Sequence, residues 1–177
     1  NKCKTCGGDG VVKGDEVVEI NIPAGVQDGM VLTVAGKGNA GKRNGYPGDI
    51  QVLISEESND TFERDGQNLY YNLVLDFATD TLWCEVDVHN IEGKTTVKIE
   101  PGTQPGKQIR LRGKGLPAVK GYGYGKGDII CNVTVYVPKT LTKEEKELIK
   151  KLKDSENFKA DNATKKTLFD SLKNLFK

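Results

Sequence analysis

Four cysteines, a single histidine and one lysine-bearing glycine loop are the parts of this 177-residue chain that could do chemistry. Cys3 and Cys6 stand in Cys3-Lys4-Thr5-Cys6-Gly7-Gly8-Asp9-Gly10. Two thiolates at that spacing form one half of a tetrahedral zinc site, and the small residues after them let backbone N–H groups turn toward sulfur. A redox dithiol uses the same spacing, but nothing around this pair has the βαβ pattern such a motif needs. His89 sits far off in a strand-like run, so it supplies neither a third ligand by sequence nor a marked catalytic centre. No nucleophile is singled out by its neighbours and the acidic residues are scattered. The chain does not read as an enzyme. Cys84 and Cys131 each lie alone inside apolar alternation and read as buried thiols. Four cysteines are too few for a disulfide scaffold, so a reducing, cytoplasmic compartment is expected.

The loop Gly36-Lys37-Gly38-Asn39-Ala40-Gly41-Lys42 imitates a phosphate cradle. A phosphate loop needs Ser or Thr after the lysine and a helix whose N-terminus meets the anion. Arg43 follows instead, then Gly45 and Pro47, which forbid a helix. The loop therefore reads as a strand connection.

These groups are positioned by a repeat. Ile22-Pro23-Ala24-Gly25-Val26-Gln27-Asp28-Gly29 returns 77 residues later as Ile99-Glu100-Pro101-Gly102-Thr103-Gln104-Pro105-Gly106. Gly36-Lys37-Gly38 returns as Gly113-Lys114-Gly115, and Gly48-Asp49-Ile50 returns as Gly127-Asp128-Ile129. Two copies are too few for a solenoid, so two tandem lobes of one design are expected. Each copy alternates with period two, the mark of half-buried strands. Strands are predicted over residues 16–22, 30–34 and 50–54 in the first copy. In the second they are predicted over 69–77, 84–89 and 94–99, with one helical turn over 78–83. Glycine makes up 21 of the 177 residues, which implies many turns and a thin core.

The last glycine is Gly127, and the tail changes character. Thr142-Lys143-Glu144-Glu145 has the form of a helix capping box. After a polar break, Leu168, Phe169, Leu172, Leu175 and Phe176 fall on one helical face among lysines. A terminal stripe of this kind packs either on its own lobe or on a second copy of the chain, and its place after a polar break favours the second copy.

Charge and hydropathy exclude some partners. Twenty-six basic residues against 25 acidic leave a net charge of +1, so no basic footprint for nucleic acid or anionic lipid exists at the level of the sequence. No apolar run is long enough to span a membrane. The chain opens on Asn1 with neither Met nor a leader pattern, which reads as a piece of a longer protein.

In this order the pieces resemble the C-terminal part of a DnaJ-type co-chaperone. Cys3 to Gly10 is similar to the family's zinc-finger cysteine motif, and Phe62-Glu63-Arg64-Asp65-Gly66 to the opening of its second C-terminal domain. The resemblance implies a mainly β fold of two tandem, similar β-sandwich-like lobes followed by a C-terminal helical dimerisation segment. It divides the chain into the last cysteine motif of a truncated zinc-finger region (1–10), an incomplete first C-terminal domain (11–58), a second (59–139) and a helical tail (140–177). It implies zinc on Cys3 and Cys6 in the intact parent, with little or none held by two ligands alone. It implies capture of extended apolar segments of unfolded polypeptide clients, transfer to a DnaK-type chaperone, and a homodimer through the tail.

The family's substrate groove, carried over by position, falls on Val18 and Val52, with Ile20 and Ile54 as same-face neighbours. Period two alone equally allows all four to be core. His89 is followed by Asn90 and not by Pro-Asp, so this chain is not expected to stimulate a DnaK-type ATPase. The competing class is an RNA- or ribosome-associated module built on the basic glycine loops, which the charge balance disfavours.

Overall fold

The computed structural model describes residues 3–160 and 162–175, and among them the chain forms two compact units, Asn1–Tyr136 and Val137–Lys177. Both expected lobes lie in the first unit, and the expected helical tail lies in the second. The fold is mainly β, with several sheets and few helices.

The second lobe is a complete sandwich. One layer has four strands: β3 (Phe62–Asp65), β4 (Asn68–Asp76), β7 (Gln108–Leu111) and β8 (Ile129–Tyr136), in the order β3-β4-β8-β7. β4 and β8 run parallel, from Leu69 opposite Ile129 to Asp76 opposite Tyr136. The other pairs are antiparallel. The second layer is a hairpin of β5 (Cys84–Asn90) and β6 (Gly93–Ile99).

Alternation explains the layers. Leu69, Leu73 and Leu75 of β4 and Ile129, Cys131 and Val133 of β8 point inward and meet Val88, Val97 and Ile99 of the hairpin. These nine residues are the buried hydrophobic core. The helical turn expected at 78–83 is α1 (Phe77–Thr81), whose N-cap Asp76 accepts from the Thr79 N–H. Of the two lone cysteines, Cys131 is fully buried as expected, whereas Cys84 is only half-buried.

Among the described residues, the strands of the first lobe are β1 (Val31–Val34) and β2 (Ile50–Leu53), paired antiparallel with Val31 opposite Leu53. The strand predicted over residues 16–22 does not form a ladder. The segment has no regular structure, Val17 is 99% exposed and Ile22 is 61% exposed. A strand needs a neighbour for its N–H and C=O groups. In the second lobe the equivalent β6 pairs with β5, whereas residues 7–10 are turn and bend and residues 11–15 are irregular, and they offer no such partner.

Even so, the repeat survives bond by bond. The Gly29 N–H donates to the Ile54 carbonyl over 3.0 Å, and the Gly106 N–H to the Val133 carbonyl over 2.8 Å. The Gly38 N–H reaches the Gly48 carbonyl at 2.8 Å, and the Gly115 N–H the Gly127 carbonyl at 2.9 Å. Asp49 and Asp128 cap the same turn, accepting from Gly36 N–H and Gly113 N–H at 2.8 and 2.7 Å. The close backbone approach explains why glycine recurs: a Cβ on Gly38 would lie 2.8 Å from Gly48, and one on Gly115 would lie 2.6 Å from Gln67 and Gly127.

In the second unit, α2 (Lys143–Asp154) starts at the predicted capping box, with Thr142 and Glu145 each accepting from the other's backbone N–H. A short turn at Glu156–Phe158 leads to α3 (Asn162–Leu175).

Candidate functional site

Three regions carry the chemistry expected from the sequence. The cysteine motif is a tight knuckle, in which the Gly7 N–H returns to the Cys3 carbonyl at 2.8 Å and the Asp9 N–H to the Cys6 carbonyl at 3.0 Å. The backbone N–H groups of Cys6 and Thr5, together with the Cys6 side chain, bond the Cys3 sulfur and pull its pKa from 9.0 to about 7. Such donors stabilise a thiolate, the form that binds metal. Burial pushes the Cys131 thiol the other way, to about 11.

The knuckle fits half of a zinc site. Among the described residues, no three His, Cys, Asp or Glu side chains gather to complete one. His89 lies on β5. The knuckle is also anchored to the glycine loop of the first lobe. The Lys42 ammonium pairs with Asp9 at 2.7 Å, and the Arg43 N–H donates to the Asp9 carbonyl at 2.9 Å. That loop continues into a three-residue turn, Lys42–Asn44, where a phosphate cradle requires a helix.

The second region is the free side of β2. In the four-stranded sheet, β8 lies between β7 and β4. β2 is the repeat counterpart of β8 and β1 that of β7, but among the described residues β2 has a neighbour on the β1 side only. Val52 and Ile54 take the places of Cys131 and Val133, which are buried core. Here both are half-buried.

Val18 and Ile20 are likewise half-buried on the irregular segment 16–22, which approaches the loop after β1 through Glu16 and Lys37, 3.6 Å apart. Their counterparts, Thr95 and Val97, are on β6. All four expected groove residues thus occupy places that face the sandwich interior in the second lobe. Among the described residues, no hydrogen bond joins the segment carrying Val18 and Ile20 to β2.

The third region is the tail. Leu148, Ile149 and Leu152 form a stripe on α2 and are 60%, 46% and 40% exposed. Phe169 on α3 is 58% exposed. Leu168, Leu172 and Leu175 are positions on α3 whose side chains lie outside the described residues, as does Phe176 entirely.

One residue had been noted only as part of a motif. Arg64 points inward from β3, and its side chain is 17% exposed. The signal was present in Phe62-Glu63-Arg64-Asp65, because period two places a charged residue on the same face as Phe62.

Fold and site define a class: a protein of tandem glycine-turn β lobes, with a cysteine knuckle before the first lobe and amphipathic helices after the second. Residues 4–138 match the family described as DnaJ C terminal domain, and the chain belongs to that family. It is 53% identical over 176 residues to "Chaperone protein DnaJ" of Bacteroides fragilis (strain YCH46), a match covering 99% of this chain and 44% of that protein. It is 42% identical over 179 residues to the "Chaperone protein DnaJ" of Salinibacter ruber (strain DSM 13855 / M31), covering 99% of this chain and 46% of that protein. The chain therefore spans less than half the length of these relatives.

Proposed function

We propose that this chain is the client-capturing and dimer-forming part of a DnaJ-type co-chaperone, a binding protein and not an enzyme. The observation that carries the reading is the edge of β2 that is unpaired among the described residues, with Val52 and Ile54 half-buried beside it. An unpaired edge offers N–H and C=O groups to an extended segment, and the same-face side chains give it apolar pockets. Val52 and Ile54 would line that slot on the strand side, with Val18 and Ile20 of segment 16–22 completing it. The client class is an extended apolar stretch of an unfolded protein, held for transfer to a DnaK-type chaperone. The working compartment is the cytoplasm, which suits four unpaired thiols.

Cys3 and Cys6 would hold zinc in a longer parent that supplies the remaining ligands. The metal would tie the knuckle to those ligands as a structural cross-link. The tail would join two copies through Leu168, Phe169, Leu172, Leu175 and Phe176, and the exposed α2 stripe supports an apolar partner there. Two weak slots on one dimer raise the effective concentration for a long client.

Fluorescence anisotropy of a labelled, leucine-rich extended peptide tests the capture reading. Saturable binding that is insensitive to salt is expected. No binding, or binding lost on modest salt addition as for a polyanion, contradicts it. Light scattering tests the dimer. Leu172→Asp would bury an unpaired charge in the contact, so the mass should halve; an unchanged mass removes the tail from the interface.

A further inference from the structure

Two motifs that are 38 residues apart in sequence meet at one side chain. The Arg64 guanidinium on β3 of the second lobe donates to the Val26 carbonyl at 2.8 Å and to the Gly25 carbonyl at 3.0 Å, both in the Pro-Gly turn of the first lobe. It also pairs with the Glu56 carboxylate at 3.2 Å and returns Nε to the Gly66 carbonyl at 2.9 Å. Glu56 in turn donates its backbone N–H to Asp28, at the end of the same turn, over 2.9 Å. The other side of the turn is equally close: a Cβ on Gly25 would overlap the Pro117 carbonyl oxygen and lie 3.1 Å from Ala118 and Val119. Gly25 also has φ +85°, where a side chain is strained.

The repeat supplies a control. The second copy of the turn, Gly102-Thr103, is held without an arginine: the Thr103 hydroxyl donates to the Glu100 carbonyl, the Gln104 side-chain amide to the Gly102 carbonyl, and the Gly102 N–H to the Asp80 carbonyl at 2.9 Å. No arginine clasps it there among the described bonds. The turn therefore does not need a guanidinium to form, and the Arg64 contacts serve the junction. We propose that Arg64 is the pin that makes the two lobes one rigid body, clasping the Gly25-Val26 carbonyls while the 117–119 loop backs the turn. A planar fork with a largely buried charge satisfies three carbonyls and a carboxylate at once, which a lysine ammonium cannot reproduce. The pin sets where the free edge of β2 lies relative to the second lobe, and its existence does not depend on what that edge binds.

The test is residual dipolar coupling on the whole chain. In the native protein, one alignment tensor should fit the amides of β1 and β2 together with those of β4 and β8. Arg64→Ala should require two tensors, with the β4 and β8 amide shifts unchanged, and Arg64→Lys should fall between. Gly25→Ala leaves β3 untouched and should separate the tensors in the same way, so it decides the matter should the arginine variant unfold the second lobe. One tensor persisting in both variants overturns the proposal.

Discussion

In the second lobe β8 lies between β7 and β4, and Ile129, Cys131 and Val133 are at most 1% exposed. In the first, β2 pairs with β1 alone among the described residues, and Ile50, Val52 and Ile54 stand half-buried in the same places. Yet both lobes make the same turn bonds: Gly29 to Ile54 and Gly106 to Val133, Gly38 to Gly48 and Gly115 to Gly127. The turns are local. Glycine conformations and the capping carboxylates of Asp49 and Asp128 specify them without a core. The core is not local. It requires β4 and the β5–β6 hairpin to close over the same pair of strands. The difference separates what a repeat sequence builds by itself from what it builds only with its neighbours.

The largest expected effect strikes at that contrast. Ile129→Ala should cost about 3–4 kcal/mol, the usual toll of a fully buried aliphatic truncation. The matching Ile50→Ala should cost about 1 kcal/mol, in proportion to its smaller burial. Guanidinium denaturation of the two variants measures both. Equal losses would mean that the first lobe is as closed as the second.

Val52→Asp comes next. It should weaken binding of the leucine-rich peptide at least tenfold, about 1.4 kcal/mol, while the circular dichroism spectrum is preserved. Loss of the β signal would instead assign Val52 to a core.

The smallest effect sharpens the comparison from the complete side. Asp80 in α1 is 7% exposed, and its Oδ1 is buried without a hydrogen-bond partner. Burial pushes its carboxyl above the usual 3.8, against the opposing pull of Lys107. A raised folded pKa means that the native state favours the protonated acid. Stability then falls as pH rises past the unfolded value, because ionisation is resisted in the fold. Asp80→Asn should accordingly raise Tm at pH 7, with a gain that shrinks toward pH 4. A lower Tm at both pH values would show that the carboxylate has a partner worth keeping.

Much of this was legible beforehand, for physical reasons that can be named. The alternation of 69–77 and 94–99, the capping box at Thr142 and the doubled glycine turns are local signals, and each appears where its residues place it. The strand expected over 16–22 was not, because alternation specifies a face and cannot supply the partner a ladder needs. The buried thiol expected at Cys84 is half-exposed for a related reason: it begins β5 at the rim of the sandwich, whereas Cys131 sits mid-strand in β8. Arg64 escaped notice because its partners, Gly25 and Val26, lie 39 and 38 residues away, and only the fold brings them to it. For the groove, Val52 and Ile54 showed period two and nothing more. Their meaning comes from the burial of Cys131 and Val133, which no sequence pattern contains.

Amide hydrogen exchange, with and without the leucine-rich peptide, tests the central claim most directly. In the free protein, β4 and β8 should be strongly protected and Ile50–Leu53 weakly. With the peptide, protection should rise at Ile50–Leu53 and leave β4 and β8 unchanged. Strong protection of β2 without peptide, or a peptide effect confined to the second lobe or the tail, would contradict the free edge as the place where this protein takes a strand.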